Sequence, residues 1–81
     1  MKLKTSLDNE LKRIFKKELK INVEKKSKIY DSIKWDSIGN FNLLLSIEKI
    51  FKIKFNAQEF NNLNSFKEIR KVVAKKIKRK N

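Results

Sequence analysis

Cysteine, histidine and proline are all absent from the 81 residues, and glycine occurs once. Without a thiol the chain has no disulfide framework, no thiolate metal site and no cysteine nucleophile. Without an imidazole it cannot build from its own residues a typical zinc site, a Ser-His triad or a histidine general base. An independent enzyme is therefore not expected. Long apolar runs are missing as well. The longest uncharged stretch, Ser37 to Ile47, falls well short of the roughly 20 apolar residues that cross a bilayer. Lys12, Lys16 and Lys17 interrupt any apolar segment near the N-terminus, so no secretory signal is read there. The expected location is cytoplasmic, with no membrane span.

What is present is lysine, asparagine, isoleucine and phenylalanine in excess, with a net charge of +13. Basic small proteins meet nucleic acid or anionic surfaces through phosphate contacts and counterion release. An AT-rich coding bias would give the same skew, with lysine filling solvent positions by default, and this reading is preferred. Residues 37–66 hold only 3 basic and 2 acidic groups, so the middle of the chain is its least basic part. Forty per cent hydrophobic residues suffice for one small core, and the length supports a single domain over residues 1–81.

Leu7, Leu11, Ile14, Phe15 and Leu19 recur at helical spacing, which predicts a first helix over residues 6–19 with Thr5 or Ser6 as cap and Asp8 and Glu10 in its first turn. From Lys20 to Lys34 no period persists. Ile21, Val23, Ile29, Tyr30 and Ile33 nevertheless suggest a long loop tied to the core. Asp36 is a favoured N-cap and opens a second helix over about residues 37–52, with Ser37 at its first position. At about 100° per residue, Leu43, Ile47, Ile50 and Phe51 fall on one side with Leu44 at the border, while Ile38, Phe41 and Leu45 fall nearly opposite. One core cannot bury both stripes. An extended connector over residues 51–55 leads to a short third helix, Ala57 to Leu63, capped by Asn56 with Phe60 and Leu63 inward. Ser65 and Glu68 form a capping box before a fourth helix that buries Phe66, Ile69, Val72, Val73 and Ile77. The expected fold is all-α: a small four-helix bundle, three longer helices and one short, with a long loop between the first and second helices. Its core spans about residues 6–77 and a basic tail covers 78–81.

Asp36-Ser37-Ile38, then Ile47-Glu48-Lys49-Ile50-Phe51, then Ile53-Lys54-Phe55, resemble the acyl carrier protein family. That family begins its second helix with Asp-Ser-Leu, closes it with Leu-Glu-x-x-Phe and continues into an Ile-x-Ile-like segment. The resemblance covers roughly residues 6 to 77. Trp35 with Gly39-Asn40-Phe41-Asn42-Leu43 is similar to the Trp-Asp-Ser-Leu-Gly pattern of specialised carriers, although Trp35 reads equally as a core anchor.

The resemblance implies that a phosphopantetheinyl transferase attaches 4′-phosphopantetheine to Ser37, with Asp36 capping the helix and aiding recognition by the transferase. Acyl-loading and acyl-processing enzymes would dock on Ile38, Phe41, Asn42, Leu45 and Glu48. Gly39 sits within the second helix, admitting either close approach of a partner or of the prosthetic arm, or an accident of composition. The chain would then be a monomeric, non-catalytic carrier of thioester-bound intermediates in fatty-acid, polyketide or other acyl or aminoacyl metabolism. Many family members line this helix with carboxylates, whereas Asn42, Lys49 and Lys52 leave Glu48 alone here. Two alternatives stay open. One is a basic helical module for nucleic acid or an anionic surface, against which stands the lack of a helix-turn-helix glycine turn or an aromatic RNA motif. The other is an unmodified, carrier-like interaction domain.

Overall fold

The structure is a computed structural model that describes residues 3–80. Its architecture is all-α: α1 (Leu3–Leu19), α2 (Ser37–Phe51), the short α3 (Ala57–Asn62) and α4 (Phe66–Lys80). α1 packs against both α2 and α4. Among the described residues no helix is long and apolar enough to cross a membrane.

α1 starts earlier than its apolar spacing suggested. Thr5 and Ser6 lie inside the helix rather than capping it, and Asp8 and Glu10 fall beyond the first turn. Leu11, Ile14, Phe15 and Leu19 are buried as the period requires. Asp8 instead pairs with Arg70 Nε, joining α1 to α4 across the surface. At the other end of the chain, the basic residues 78–80 continue α4 rather than forming a tail. Asn81 lies outside the described residues.

The long segment between α1 and α2 is fastened at both backbone and side chain. The Ile29 N–H donates to Asn64 O at 2.7 Å and the Phe66 N–H to Ser27 O at 3.0 Å, an antiparallel bridge that ties the loop to the junction of α3 and α4. Val23 is buried, and Ile21 and Ile29 pack on the core from its edge. Ile33 and Tyr30 do not, being 83% and 66% exposed. The segment closes on Trp35, which is fully buried, its ring meeting that of Phe15 edge-on at 4.9 Å. Its indole N–H donates to Asn40 Oδ1 at 2.9 Å, and Asn40 Nδ2 donates to Leu63 O at 3.0 Å. Asn40 is the one buried polar side chain among the described residues.

The buried stripe of α2 is Asn40, Leu43, Leu44 and Ile47. Counting Asn40 as a core residue moves the centre of the stripe towards Leu44, which is fully buried rather than marginal. It also moves Ile50 out. Placed in the last turn, 70° from that centre on a helical wheel of about 100° per residue, Ile50 is 48% exposed, and Phe51 is half-buried.

Lys52 ends α2 in the left-handed conformation. In the connector Ile53 and Phe55 are buried and Lys52 and Lys54 lie outward, and among the described residues there is no strand for it to pair with. Glu48 Oε2 accepts the Phe55 N–H at 2.7 Å and so anchors the connector to α2.

Asn56 and Glu59 form a reciprocal capping box at α3, and Glu59 also pairs with Lys76 of α4 at 3.0 Å. At α4 the box is offset by one residue. Ser65 Oγ accepts the Glu68 N–H, but the Glu68 carboxylate reaches the N–H of Asn64 rather than that of Ser65.

Two predictions follow from these contacts. Truncating Asn40 strands a buried indole N–H and a buried carbonyl, each costing about 1–3 kcal/mol. Asn40→Ala is therefore expected to lose about 2–4 kcal/mol of stability, read by urea unfolding with Trp35 fluorescence. Partial burial raises the Glu59 pKa, but the Asn56 N–H, Lys76 and Arg79 outweigh it and hold the carboxyl below its usual range. The stability this contributes is present above the ordinary glutamate pKa and is lost as pH falls through the lowered one. The melting-temperature gap between wild type and Glu59→Gln should accordingly be open at neutral pH and close on acidification.

Candidate functional site

Everything distinctive about the surface starts at the entrance to α2. Asp36 is in an extended conformation, and its Oδ1 accepts the Gly39 N–H at 2.8 Å, satisfying one donor of the first turn. Ser37 is the first helical residue and is exposed. Its Oγ lies 2.7 Å from the hydroxyl of Tyr30.

A tight turn delivers the chain to this point. The Trp35 N–H donates to Ser32 O at 2.9 Å, and the Tyr30 N–H donates to Trp35 O at 2.7 Å. The first turn of α2 is thereby pressed onto the residues before it. A Cβ at Gly39 would stand 2.7 Å from the Lys34 carbonyl oxygen and 3.0 Å from Leu19 Cδ2. The close approach that requires glycine is thus made by the chain's own backbone and by the end of α1.

Outward from Ser37 the helix presents Ile38, Phe41 and Leu45, which are 71%, 50% and 39% exposed. They lie on the face opposite the buried stripe, so no packing within the described chain seals them. The Phe41 ring rests on Phe60 of α3, centroids 5.1 Å apart. Between α2 and α3 an open groove of ≈ 400 Å³ begins at Ser37 and is walled by apolar Phe41, Phe60 and Ile29 and by the amides of Asn61 and Asn64.

Of the remaining expected positions, Asn42 is exposed on the same helix, whereas Glu48 is half-buried and engaged with the connector. Glu48 is therefore a structural tie rather than a projecting charge. At the Leu45 end of the face, Lys49, Lys52 and Lys54 line a shallow depression.

Three features escaped the sequence. Tyr30 gave no local signal, because six residues separate it from Ser37. Asn40 was not singled out as a core residue, although a buried indole five residues earlier needs an acceptor. Gly39 showed no sign that its neighbour would be the Lys34 carbonyl.

No protein-family model matches the chain, and no curated protein matches it. The function must accordingly be argued from the site itself. Chemically, the site offers an unshielded primary alcohol at the positive end of a helix, with an apolar face on one side and a mixed groove on the other.

In an exposed helix, alanine normally outranks glycine by up to about 1 kcal/mol. Gly39→Ala is expected to do the reverse, destabilising by about 1–3 kcal/mol because a backbone carbonyl must shift. Comparison of melting curves checks the sign.

Proposed function

We propose that the chain is an acyl carrier, modified on Ser37 by a separate transferase and read by partner enzymes through the exposed face of α2. The observation that carries this reading is the uncovered stripe Ile38, Phe41 and Leu45, starting at the residue after an exposed serine at the helix entrance. An exposed serine alone would be an ordinary surface residue. Apolar residues left in water beside it mark a place where another protein docks, since a small hydrophobic centre can dominate binding.

The residues present fit a phosphopantetheine group. A phosphate on Ser37 Oγ would sit against the positive end of the α2 dipole, which favours an anion there. The groove between α2 and α3 offers apolar and amide surface beginning at the same residue.

In the loading step, Ser37 Oγ attacks the β-phosphorus of coenzyme A. The new Oγ–P bond replaces the bond to the bridging oxygen, adenosine 3′,5′-bisphosphate leaves with that oxygen, and the serine proton passes to a base on the transferase. Beside Ser37, Tyr30 contributes a hydroxyl at 2.7 Å, and Asp36 Oδ1 accepts the Gly39 N–H. When bound, the arm supplies the thiol for a thioester. The chain's own part is to hold its root and present the docking face.

With Glu48 turned to the connector and Lys49, Lys52 and Lys54 beside Leu45, partner enzymes would meet a basic rim and complement it with carboxylates. The same charge supports a second reading, a basic module for nucleic acid, and one experiment separates the two.

Co-expression with a broad-specificity phosphopantetheinyl transferase should add one phosphopantetheine to wild type and none to Ser37→Ala, as read by intact mass. Failure of several transferases to load the wild type, or tight salt-sensitive binding to a short DNA duplex by unloaded protein, would count against the carrier.

A further inference from the structure

We infer that Tyr30 is a positioning residue for the modification site, holding Ser37 Oγ before loading and donating to the phosphodiester afterwards; this rests on the carrier reading of Ser37. The contact is direct, the two hydroxyl oxygens lying 2.7 Å apart. The ring is 66% exposed, so burial of the aromatic surface does not explain its place.

The backbone is shaped to make this contact. Tyr30 has φ 74°, in the left-handed region that bulky residues rarely enter. Three bonds enforce it: the Ile29 N–H to Asn64 O, the Tyr30 N–H to Trp35 O, and the Asp31 N–H to Lys28 O. Asp31 Oδ2 also accepts the Lys28 N–H at 2.9 Å, closing the turn around the tyrosine. Such conformations persist only where surrounding structure over-determines them, and they gather at functional sites. Lys20 and Lys52 also have positive φ, each directly after the end of a helix, whereas Tyr30 adopts it within the loop and its side chain reaches the proposed nucleophile.

The chemistry changes with loading. In the unmodified protein either hydroxyl can donate, and the bond selects one rotamer of a serine that would otherwise sample several. Once Oγ is esterified it has no hydrogen. Tyr30 can then only donate, to Oγ or to an oxygen of the phosphate on it, and a hydrogen bond to an anion is the stronger kind.

Tyr30→Phe removes the hydroxyl and keeps the ring. In unmodified wild type, Ser37 should show the pair of Hα–Hβ couplings of one staggered rotamer, and in Tyr30→Phe two couplings averaged over rotamers, with thermal unfolding unchanged. Loading by a broad-specificity transferase with coenzyme A should fall in kcat/KM by roughly two- to tenfold, the range spanned by one neutral hydrogen bond. The phosphodiester ³¹P resonance of the loaded variant should differ from that of loaded wild type. Averaged couplings in wild type, or equal loading with an identical ³¹P position, would overturn the role of Tyr30 and leave the carrier reading intact. No loading of either protein, with the couplings as expected, would overturn the carrier reading and the positioning role together, while the hydrogen bond itself stands.

Discussion

One buried amide organises the molecule. Asn40 accepts from the Trp35 indole and donates to the Leu63 carbonyl, so it joins the end of the long loop, the first turns of α2 and the exit from α3 in a single polar connection. In a core otherwise made of hydrocarbon, an unsatisfied amide is costly and a satisfied one is selective. Only one placement of α2 relative to Trp35 and Leu63 meets all these bonds. The entrance of the helix, and with it Ser37, is fixed by that requirement rather than by the surface residues around it.

The same constraint decides which face of α2 is left in water. With Asn40, Leu43, Leu44 and Ile47 inward, rotation of the helix to hide Ile38 or Phe41 would expose the amide's partners or break them. The apolar outer face is thus a consequence of a core that has already been satisfied. Phe60 supports Phe41 from α3 without covering it, which leaves a half-exposed aromatic at the mouth of the groove. The combination is an exposed hydroxyl at the helix entrance with an apolar surface close to it.

Electrostatics on this face follow from how the few carboxylates are used. Asp36 caps α2, Glu48 holds the connector, Glu59 closes the α3 box and pairs with Lys76, and Glu68 serves the turn before α4. Each is engaged with backbone N–H groups that helix ends and turns leave unpaired. The lysines, by contrast, mostly project. At the Leu45 end of the outer face of α2, Lys49, Lys52 and Lys54 gather beside Glu48.

The periodic apolar spacing of residues 7–19 and 66–77, the Asp36 and Asn56 caps and the aperiodic stretch between determined by themselves that the chain is all-α, with three longer helices and one short. These signals are local: caps and helical stripes are written within a few residues of where they act. The two-sided α2, with Ile38, Phe41 and Leu45 opposite a buried stripe, was legible for the same reason. What only the tertiary structure decided is non-local. That Asn40 is core, that Ile50 is not, that Gly39 must admit the Lys34 carbonyl and that Tyr30 reaches Ser37 all depend on how the loop folds back. A residue's neighbours across a turn are set by packing and hydrogen-bond satisfaction over the whole chain, and no window of sequence contains that information.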